Sequence, residues 1–242
     1  MSDLVAVPVY NEIATLALVM AKIRDNHDGD ILAVDDGSTD GSYETLQNTP
    51  GIVVLRHERN MGYGKSVIDG LEYAVRNGYE KVVTIDCDEQ HEPKFIGRMF
   101  AELGDYDVLS GSRYLETSPE DDAAPPDRLD INRKITEVIN QITGFNLTDS
   151  FCGFKCYRVS AIARLSLDEP GYAQPLQFWI QAKHSGLSVQ EIPTPRIYKN
   201  LSRTFGGGID DPEKRLGYYM EVVERELERW RMKNTPKSRR TA

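Results

Sequence analysis

Short apolar runs alternate with helical hydrophobic patterns along the first half of the chain. Five such runs predict β-strands, at residues 4–9, 30–34, 52–55, 81–85 and 108–113. Between the first two runs, apolar residues recur at helical spacing and predict a helix over about 12–26: Ile13, Leu16, Val19, Met20 and Ile23. Strands that alternate with helices favour an α/β fold, with a mostly parallel central sheet and helices on both faces.

The second half of the chain has a different texture. Residues 116–126 are acidic and rich in proline, which predicts a mobile loop. Helical periodicity then runs from Ile131 to Ile142 and is stopped by Gly144. A stripe of apolar residues predicts a final amphipathic helix over about 212–232: Leu216, Tyr219, Met220, Val223, Leu227 and Trp230. We therefore expect a single domain over 1–205, followed by a C-terminal helix and basic tail over 206–242.

Composition narrows the class of protein. The 242 residues suffice for one domain with a sizeable core, and the net charge of -9 argues against nucleic acid as a partner. Three cysteines are too few for a disulfide framework, so we expect buried free thiols in a reducing cytosol. No apolar stretch is long enough to cross a bilayer, and the N-terminus lacks a signal-peptide pattern. These features predict a cytoplasmic protein that is soluble or peripheral to a membrane.

The most informative residues follow the fourth predicted strand. Asp86 and Asp88 stand where a buried strand meets a loop, so they can converge on one hard cation and leave coordination positions open. That arrangement can hold Mg²⁺ or Mn²⁺ against a substrate diphosphate. Gln90 and His91 follow and could add ligands or hydrogen bonds. For an isolated Asp-x-Asp, the structural alternative is a solvated turn.

Other strand ends carry compatible chemistry, and in an open α/β sheet ligands bind beyond the carboxyl ends of the strands. Asp36 could accept a hydrogen bond from a nucleobase or a ribose, or could only belong to a capped turn. Gly62 and Gly64 could let backbone amides approach a diphosphate, with Lys65 adding charge, or could only ease a tight connection. Taken together, these segments predict a nucleotide and metal pocket.

Several motifs stand in a fixed order along the chain: Val7-Pro8-Val9-Tyr10-Asn11-Glu12, Val34-Asp35-Asp36-Gly37-Ser38-Thr39-Asp40-Gly41, Asn60-x-Gly62-x-Gly64 and Asp86-Cys87-Asp88-x-Gln90-His91-x-Pro93. They resemble the motifs of family 2 glycosyltransferases, which have the Rossmann-like GT-A fold. Gly111-Ser112-Arg113-Tyr114 and residues 147–155 are similar to one branch of that family. This branch includes dolichyl-phosphate mannosyltransferase and bacterial polyprenyl-phosphate glycosyltransferases.

The resemblance implies roles for particular residues. The residues implied to bind the nucleotide-sugar are Pro8, Tyr10, Glu12, Asp36 and Asp86, to which the charge beside the glycines adds Lys65. Those implied to hold Mg²⁺ or Mn²⁺ are Asp86, Asp88 and Gln90. Arg113 and Arg133 resemble two arginines that hold an acceptor phosphate. Arg203 resembles a basic residue of a loop that closes over the donor, although that loop departs from the Arg-x-x-Gly-x-Ser-Lys pattern of the branch.

The implied reaction is an inverting transfer of a hexose from a nucleotide-sugar of the GDP-mannose or UDP-glucose type. A polyprenyl or dolichyl phosphate acceptor is already ionised, so positioning by the two arginines would suffice. A sugar hydroxyl acceptor, as in polysaccharide or glycolipid synthesis, requires a carboxylate to take its proton. Asp149 is the candidate base, and its structural alternative is to cap a turn or orient an arginine. The arginines favour the lipid phosphate.

Two rival functions come from other classes. A nucleotidyltransferase would carry a glycine-rich basic loop after the first strand, where this chain has Tyr10-Asn11-Glu12. A non-catalytic sugar-nucleotide-binding protein would be expected to lose one metal carboxylate, and both are present.

The end of the chain is basic, with no acidic residue between its cations: Arg229, Arg231, Lys233, Lys237, Arg239 and Arg240. A solvated terminus is one interpretation. The other is contact with anionic lipid, which would contribute roughly 1 kcal/mol for each basic residue near the surface. The second interpretation would place the protein on the inner face of a membrane. The sequence leaves open whether the chain forms a homodimer.

Overall fold

A single seven-stranded sheet lies at the centre of the computed structural model, which describes residues 2–117, 121–198, 204–206 and 208–234. The strands are β1 (Asp3–Val9), β2 (Asp30–Asp35), β3 (Ile52–Arg56), β4 (Lys81–Thr84), β5 (Val108–Ser112), β6 (Lys155–Arg158) and β7 (Val189–Pro193). Their order across the sheet is β3-β2-β1-β4-β6-β5-β7. All neighbours are parallel except β6, which runs antiparallel to both β4 and β5.

Helices cover both faces of this sheet. Within the described residues they are α1 (Leu16–Asn26), α2 (Ser42–Gln47), α3 (Tyr63–Arg76), α4 (Ile96–Glu102), α5 (Pro126–Thr143), α6 (Val159–Ile162), α7 (Gln174–His184) and α8 (Pro212–Asn234). A short 3-10 turn over Pro93–Phe95 leads into α4. The predicted α/β class, with a mostly parallel sheet between two helical layers, is confirmed.

The alternation of side chains along β1 explains the two layers. Leu4 and Ala6 lie in a core cluster with residues of α3, α5, α7 and α8. Val5 and Val7 point to the opposite face and lie in a second cluster with residues of α1, α2 and α4. Because successive side chains of a strand point to opposite faces, a wholly apolar strand requires cover on both sides.

The first helix begins later than predicted. Its regular part starts at Leu16, and not near residue 12. Side chains that follow β2 hold the intervening backbone: the amide of Glu12 donates to Ser42 Oγ over 2.9 Å, and the amide of Ile13 donates to Asp40 Oδ2 over 3.0 Å. These long-range hydrogen bonds hold the segment after β1 as a loop at the carboxyl end of the sheet.

The sequence did not predict β6, α7 or β7. The four residues of β6 carry no clear alternation, since Lys155, Cys156 and Tyr157 are all buried. Its position matters for the site, because β6 inserts between β4 and β5. The segment that leads into β6 is thereby brought beside the loop that follows β4.

Residues 116–126 were predicted to be a mobile loop; the described residues 116–117 and 121–125 form no helix or strand, and Asp121 and Asp122 are hydrogen-bonded to the segment that follows β7. The amide of Asp122 donates to the carbonyl of Arg196 over 2.9 Å, and the amide of Arg196 donates to Asp121 Oδ1 over 3.0 Å. The amide of Tyr198 donates to Asp122 Oδ2 over 2.7 Å. The acidic side chains therefore bind the segment that follows β7, because they satisfy its backbone donors.

The last helix packs along α5 and α7. Tyr219 and Val223 of α8 are buried against the larger core cluster, as the apolar stripe predicted, and Val222, which the stripe did not include, is buried there too. The basic residue Arg229 is not a free cation, since it pairs with Asp168 and Glu226. Lys237, Arg239 and Arg240 lie outside the described residues. The division of the chain after residue 205 stays a prediction.

Two further expectations concern the whole chain. Cys87, Cys152 and Cys156 are buried free thiols, as predicted. Among the described helices, none is long and apolar enough to cross a membrane.

Candidate active site

A cavity of about 340 Å³ opens at the carboxyl ends of the parallel strands. Eight residues that the sequence proposed for binding or catalysis line it together: Pro8, Tyr10, Glu12, Asp36, Asp86, Asp88, Gln90 and Arg113. They come from the ends of β1, β2, β4 and β5. The parallel strand order explains this convergence, because the carboxyl ends of parallel strands share one edge.

The two carboxylates that follow β4 face this cavity. Asp88 accepts a hydrogen bond of 3.0 Å from the amide of Gln90, in a turn where Glu89 has a positive φ of 61°. Cys87, between the two carboxylates, points into the core, and its carbonyl accepts a hydrogen bond of 2.7 Å from Thr15 Oγ1. The turn therefore directs Asp86 and Asp88 to the ligand side.

Each carboxylate oxygen of Asp86 has a partner. The hydroxyl of Tyr63 donates to Oδ1 over 2.9 Å, and the ring Nδ1 of His91 lies 3.5 Å from Oδ2. Burial disfavours a charge on the ring, but Asp86, Cys152 and Asp88 together outweigh that effect and raise the pKa of His91 to about 9. Burial and then Asp86 raise the pKa of Tyr63, so its phenol stays neutral and only donates.

The donor set here fits a hard divalent cation. The carboxylates of Asp86 and Asp88 line one cavity together with Gln90, whose side-chain amide carries an oxygen. Mg²⁺ and Mn²⁺ prefer oxygen ligands. Gly153 keeps the space beside Asp86 open, since a Cβ there would lie 2.5 Å from Asp86 Oδ2. In the described part of the chain no three His, Cys, Asp or Glu side chains cluster as a metal site. An ion bound here would therefore have to complete its coordination with oxygens of the substrate or of water.

Asp36 lines the cavity but its oxygens are already engaged. Oδ1 accepts from the amide of Met61 over 2.7 Å and lies 2.7 Å from His57 Nδ1, while Oδ2 accepts from the amide of Gly62 over 2.9 Å. The other ring nitrogen of His57 lies 2.7 Å from Asp69 Oδ2. Asp36 therefore holds the turn before α3, which the sequence did not predict.

The structure does not support the proposed contact between Lys65 and a diphosphate. The Lys65 ammonium pairs with Asp69 and does not belong to the cavity lining, and its amide donates to the Pro170 carbonyl over 3.0 Å. The glycines before it serve packing. A Cβ on Gly64 would lie 2.4 Å from the carbonyl oxygen of Glu169, so only glycine lets the segment 169–171 approach this closely.

Arg113 and Asp149 form a buried pair. Asp149 is 0% exposed and accepts from Arg113 Nε over 2.7 Å and from Arg113 Nη2 over 3.0 Å. It also accepts from Asn132 Nδ2 over 2.9 Å and from the amide of Phe151 over 3.1 Å. Burial alone would raise the pKa of Asp149, but Arg113 outweighs it and lowers that pKa to about 2. Arg113 reaches the cavity and Asp149 does not.

The second predicted arginine faces elsewhere. Arg133 is exposed, whereas its helix neighbours Ile131 and Asn132 line the cavity together with Arg128. The helical repeat explains the correction, because Arg128 shares the buried face of α5 with Ile131 and Ile135, and Arg133 lies outside it. The sequence contained this signal in the apolar stripe of α5.

Aromatic and basic residues from distant segments complete the cavity. Besides Tyr10, the aromatic residues of its wall are Tyr63, Tyr114, Phe151, Tyr172, Tyr198, Phe205 and Tyr219. Arg203, predicted for a closing loop, lies outside the described residues, but Phe205 from the same loop lines the cavity. Arg215 of α8 lines it as well, and it donates 3.2 Å hydrogen bonds to the carbonyls of Ile209 and Asp210 and a 2.7 Å one to Asp127. No sequence pattern marked Arg215.

Comparison with known proteins connects this site to a family. The model of the family described as "Glycosyl transferase family 2" matches residues 4–166. An undecaprenyl-phosphate mannosyltransferase of Micrococcus luteus is 28% identical over 218 residues, with 86% of this chain and 89% of the relative covered. A UDP-N-acetylglucosamine–dolichyl-phosphate N-acetylglucosaminyltransferase of Methanococcus voltae is 26% identical, with 84% and 88% covered.

Solved structures give the same fold. Glucosyl-3-phosphoglycerate synthase from Mycobacterium tuberculosis, solved with Mn²⁺, UDP-glucose and phosphoglyceric acid, has a TM-score of 0.70 at 16% identity. The alignment covers 94% of this chain and 80% of that one. The same synthase in complex with Mn²⁺, UDP and glucosyl-3-phosphoglycerate has a TM-score of 0.68 at 18% identity, with 93% and 78% covered. At these identities the likeness establishes the GT-A fold.

Proposed function

This chain belongs to glycosyl transferase family 2 and is a glycosyltransferase, and we propose that it moves a hexose from a nucleotide-sugar to the phosphate of a polyprenyl or dolichyl lipid. The donor would be of the GDP-mannose or UDP-glucose type. The relatives from Micrococcus luteus and Methanococcus voltae are named for transfer to undecaprenyl phosphate and dolichyl phosphate. Their names support a lipid phosphate as the acceptor class.

The observation that carries the proposal is the pairing of Arg113 with Asp149. A hydroxyl acceptor needs a base within reach of its proton, and Asp149 was the candidate. Asp149 is buried, outside the cavity lining and bound at both oxygens, and its pKa is lowered to about 2. A phosphate acceptor is already ionised near neutral pH and requires cationic positioning instead. This favours a phosphate acceptor over a sugar hydroxyl, and the names of the relatives support the lipid that carries the phosphate.

Two arginines are suited to that positioning. Arg113 and Arg128 both line the cavity, and guanidinium groups bind phosphate oxygens in a bidentate way. We assign Asp149 to the orientation of Arg113, and we replace Arg133 by Arg128 as the second acceptor-binding arginine. The aromatic wall would receive the first apolar part of the lipid.

The donor would occupy the other end of the cavity. Pro8, Tyr10 and Glu12 would line the nucleoside pocket, and Asp36 would keep the turn at Met61 and Gly62 in place. Asp86 and Asp88, with Gln90, would hold Mg²⁺ or Mn²⁺. When bound, that ion supplies Lewis-acid neutralisation of charge on the leaving diphosphate.

The chain's own residues then have defined tasks in an inverting displacement. The acceptor phosphate, held by Arg113 and Arg128, attacks the anomeric carbon from the face opposite to the nucleoside diphosphate. The new bond is between a phosphate oxygen and that carbon, and the bond to the diphosphate oxygen breaks. No proton needs to be removed from the acceptor, so alignment by the arginines supplies the main contribution.

The place of action is also a proposal. A lipid acceptor requires the cavity to meet a membrane surface, and the basic residues Lys237, Arg239 and Arg240 at the end of the chain support contact with anionic lipid. Donor nucleotide-sugars are cytoplasmic metabolites, so the inner face of the membrane is the proposed location.

A panel of matched acceptors tests the proposal. Purified protein with Mn²⁺ and radiolabelled GDP-mannose or UDP-glucose would be offered a short polyprenyl phosphate, the corresponding free polyprenol, and 3-phosphoglycerate. Transfer to the polyprenyl phosphate alone is expected. Transfer to the free polyprenol would reject the phosphate acceptor, and transfer to 3-phosphoglycerate would reject the lipid.

A further inference from the structure

Asp86 is held from the cavity side by a tyrosine that begins α3. Tyr63 Oη donates to Asp86 Oδ1 over 2.9 Å, and the Asp86 side chain is 25% exposed. The neighbouring carboxylate Asp88 accepts the amide of Gln90 instead. Asp86 is thus a proposed metal ligand whose orientation depends on a separate element of the fold.

A series of ring contacts connects Tyr63 to the far end of the cavity. The rings of Tyr63 and Tyr172 are stacked, with centroids 5.6 Å apart and planes at 10°. Tyr172 meets Phe205 edge to face, with centroids 5.3 Å apart and planes at 85°. Aromatic pairs of this kind have preferred geometries, so a displacement of one ring changes the contact that it makes with the next.

Phe205 in turn lies between two cations. The guanidinium carbon of Arg128 is 4.9 Å from the centre of its ring, and that of Arg215 is 4.6 Å from it. Arg128 is the residue proposed above for the acceptor phosphate. An acceptor that moves Arg128 therefore changes the environment of Phe205.

A close backbone contact keeps the rings of Tyr63 and Tyr172 next to each other. Gly62 has a φ of +106°, and a Cβ on it would lie 2.3 Å from the carbonyl oxygen of Pro170. This close approach brings the segment that carries Tyr172 directly against the first turn of α3. The amide of Lys65 donates to the Pro170 carbonyl over 3.0 Å and fixes the contact.

We propose that Tyr63 is a positioning residue for the Asp86 carboxylate, and that Tyr172 and Phe205 connect its position to the acceptor end of the cavity. The inference rests on the proposed function, since it assumes that Asp86 binds the metal. Tyr63 fixes the direction of the free lone pairs of Asp86 and does not itself touch the ion.

The first test measures metal binding without turnover. Binding of Mn²⁺ would be followed by electron paramagnetic resonance in the presence of UDP and, separately, of GDP. Tyr63→Phe keeps the stacked ring and removes only the hydroxyl. Loss of a hydrogen bond to a metal-binding carboxylate lowers metal affinity roughly 10- to 100-fold, and we expect a change in that range. Tyr106→Phe is the matched control, because Tyr106 is 40% exposed and outside the cavity.

The second variant tests the connection. Phe205→Leu leaves Tyr63 and Asp86 in place but removes the ring against Tyr172. It is expected to weaken Mn²⁺ binding by about 3-fold, within the range of coupling energies between residues in contact. In the transfer assay it should also raise the KM for the lipid phosphate.

The outcomes are distinct. Mn²⁺ affinity equal to wild type in Tyr63→Phe would overturn the positioning role and leave the proposed function intact. Weakened binding in Tyr63→Phe but not in Phe205→Leu would overturn the connection alone. If wild-type protein binds no Mn²⁺ with either nucleotide, the assignment of Asp86 as a Mn²⁺ ligand fails, and the positioning role of Tyr63 and the connection through Phe205 fail with it, whereas the proposed transfer to a lipid phosphate is tested separately by the acceptor panel.

Discussion

Arg113 and Asp149 form a two-point ion pair, in which Nε and Nη2 of Arg113 donate to the two oxygens of Asp149 over 2.7 and 3.0 Å. The pair joins the end of β5 to the segment that leads into β6. Because Asn132 of α5 also donates to Asp149, three elements meet at this carboxylate. The guanidinium is thereby held at a fixed angle at the cavity.

The substitution Asp149→Asn should impair the positioning of the acceptor phosphate by Arg113. It should leave the phosphate and the nucleotide-sugar, which are the groups that react, unchanged. Leaving Arg113, whose side chain is 17% exposed, without its charged partner is expected to destabilise the fold by about 3 kcal/mol. We expect the KM for the acceptor to rise at least about 10-fold, with a smaller effect on the KM for the nucleotide-sugar, because Arg113 loses its fixed angle. Steady-state kinetics with each substrate varied in turn checks this. Loss of kcat alone, with both KM values unchanged, would point to Asp149 as a base.

The same pair predicts a pH dependence of stability. The pKa of Asp149 is about 2 in the folded protein and lies below its ordinary value of 3.8. A carboxyl whose pKa is lowered by folding stabilises the fold at pH values above its pKa in the unfolded chain. This contribution disappears as the pH falls from about 4 towards 2. The shift corresponds to about 2 kcal/mol. Urea unfolding of wild type should lose most of this amount between pH 5 and pH 2.5 in excess of the loss in Asp149→Asn. Parallel pH profiles in the two proteins would contradict the assignment.

The metal assignment makes a sharper prediction. Asp88→Asn keeps the size of the side chain and the acceptor for the Gln90 amide, but removes a charge from the proposed metal site. We expect transfer to fall at least about 100-fold, with an unchanged thermal unfolding midpoint. Asp25→Asn, at an exposed position of α1, is the control and should keep full activity. Turnover by Asp88→Asn close to that of wild type would refute the role of Asp88.

The sequence and the structure point to different arginines of α5 as the residue that binds the acceptor phosphate. Arg128 lines the cavity and Arg133 is exposed on the same helix. Arg128→Gln should raise the KM for polyprenyl phosphate at least about 10-fold, as expected for a lost charge-assisted contact to phosphate. Arg133→Gln should change it less than about 2-fold. The reverse pattern would restore Arg133 as the acceptor-binding residue.

Gly64 provides a test of the packing around α3. A methyl group on it would lie 2.4 Å from the carbonyl oxygen of Glu169 and 2.5 Å from that of Gly171. Gly64→Ala should therefore lower the free energy of unfolding by about 2 kcal/mol. Gly97→Ala is the matched control in α4, since nothing lies within 4 Å of the added methyl. It should be neutral or stabilise by up to about 1 kcal/mol. Equal effects of both exchanges in urea unfolding would contradict the packing account.

The sequence predicted the parts of the molecule that depend on local pattern. The five strands it predicted are all present, because each reads as an apolar run with turn residues after it. The carboxylates Asp36, Asp86 and Asp88 reach one cavity because parallel topology brings strand ends together. What local pattern could not give is β6, since its four residues depend on neighbours from β4 and β5 for their pairing.

The site was harder to predict where a role depends on a distant partner. Lys65 looked like a phosphate-binding residue, but Asp69 one helical turn later binds its ammonium. Tyr63, Tyr172 and Phe205 became one cluster only through the close approach of segment 169–171 to Gly62 and Gly64. Arg128 could have been found from the helical stripe of α5, whereas Arg215 depends on how α8 packs.

The most direct test of the account is the transfer of label by wild-type protein into an organic phase. Radiolabelled GDP-mannose, UDP-glucose or UDP-N-acetylglucosamine would be incubated with a short polyprenyl phosphate in detergent, with Mn²⁺ or with a chelator. The account predicts that label from one of these donors enters the organic phase only with the metal, and that it does so as a phosphate-linked sugar that mild acid releases. Failure of label from all three donors to enter the organic phase with the metal present would contradict it.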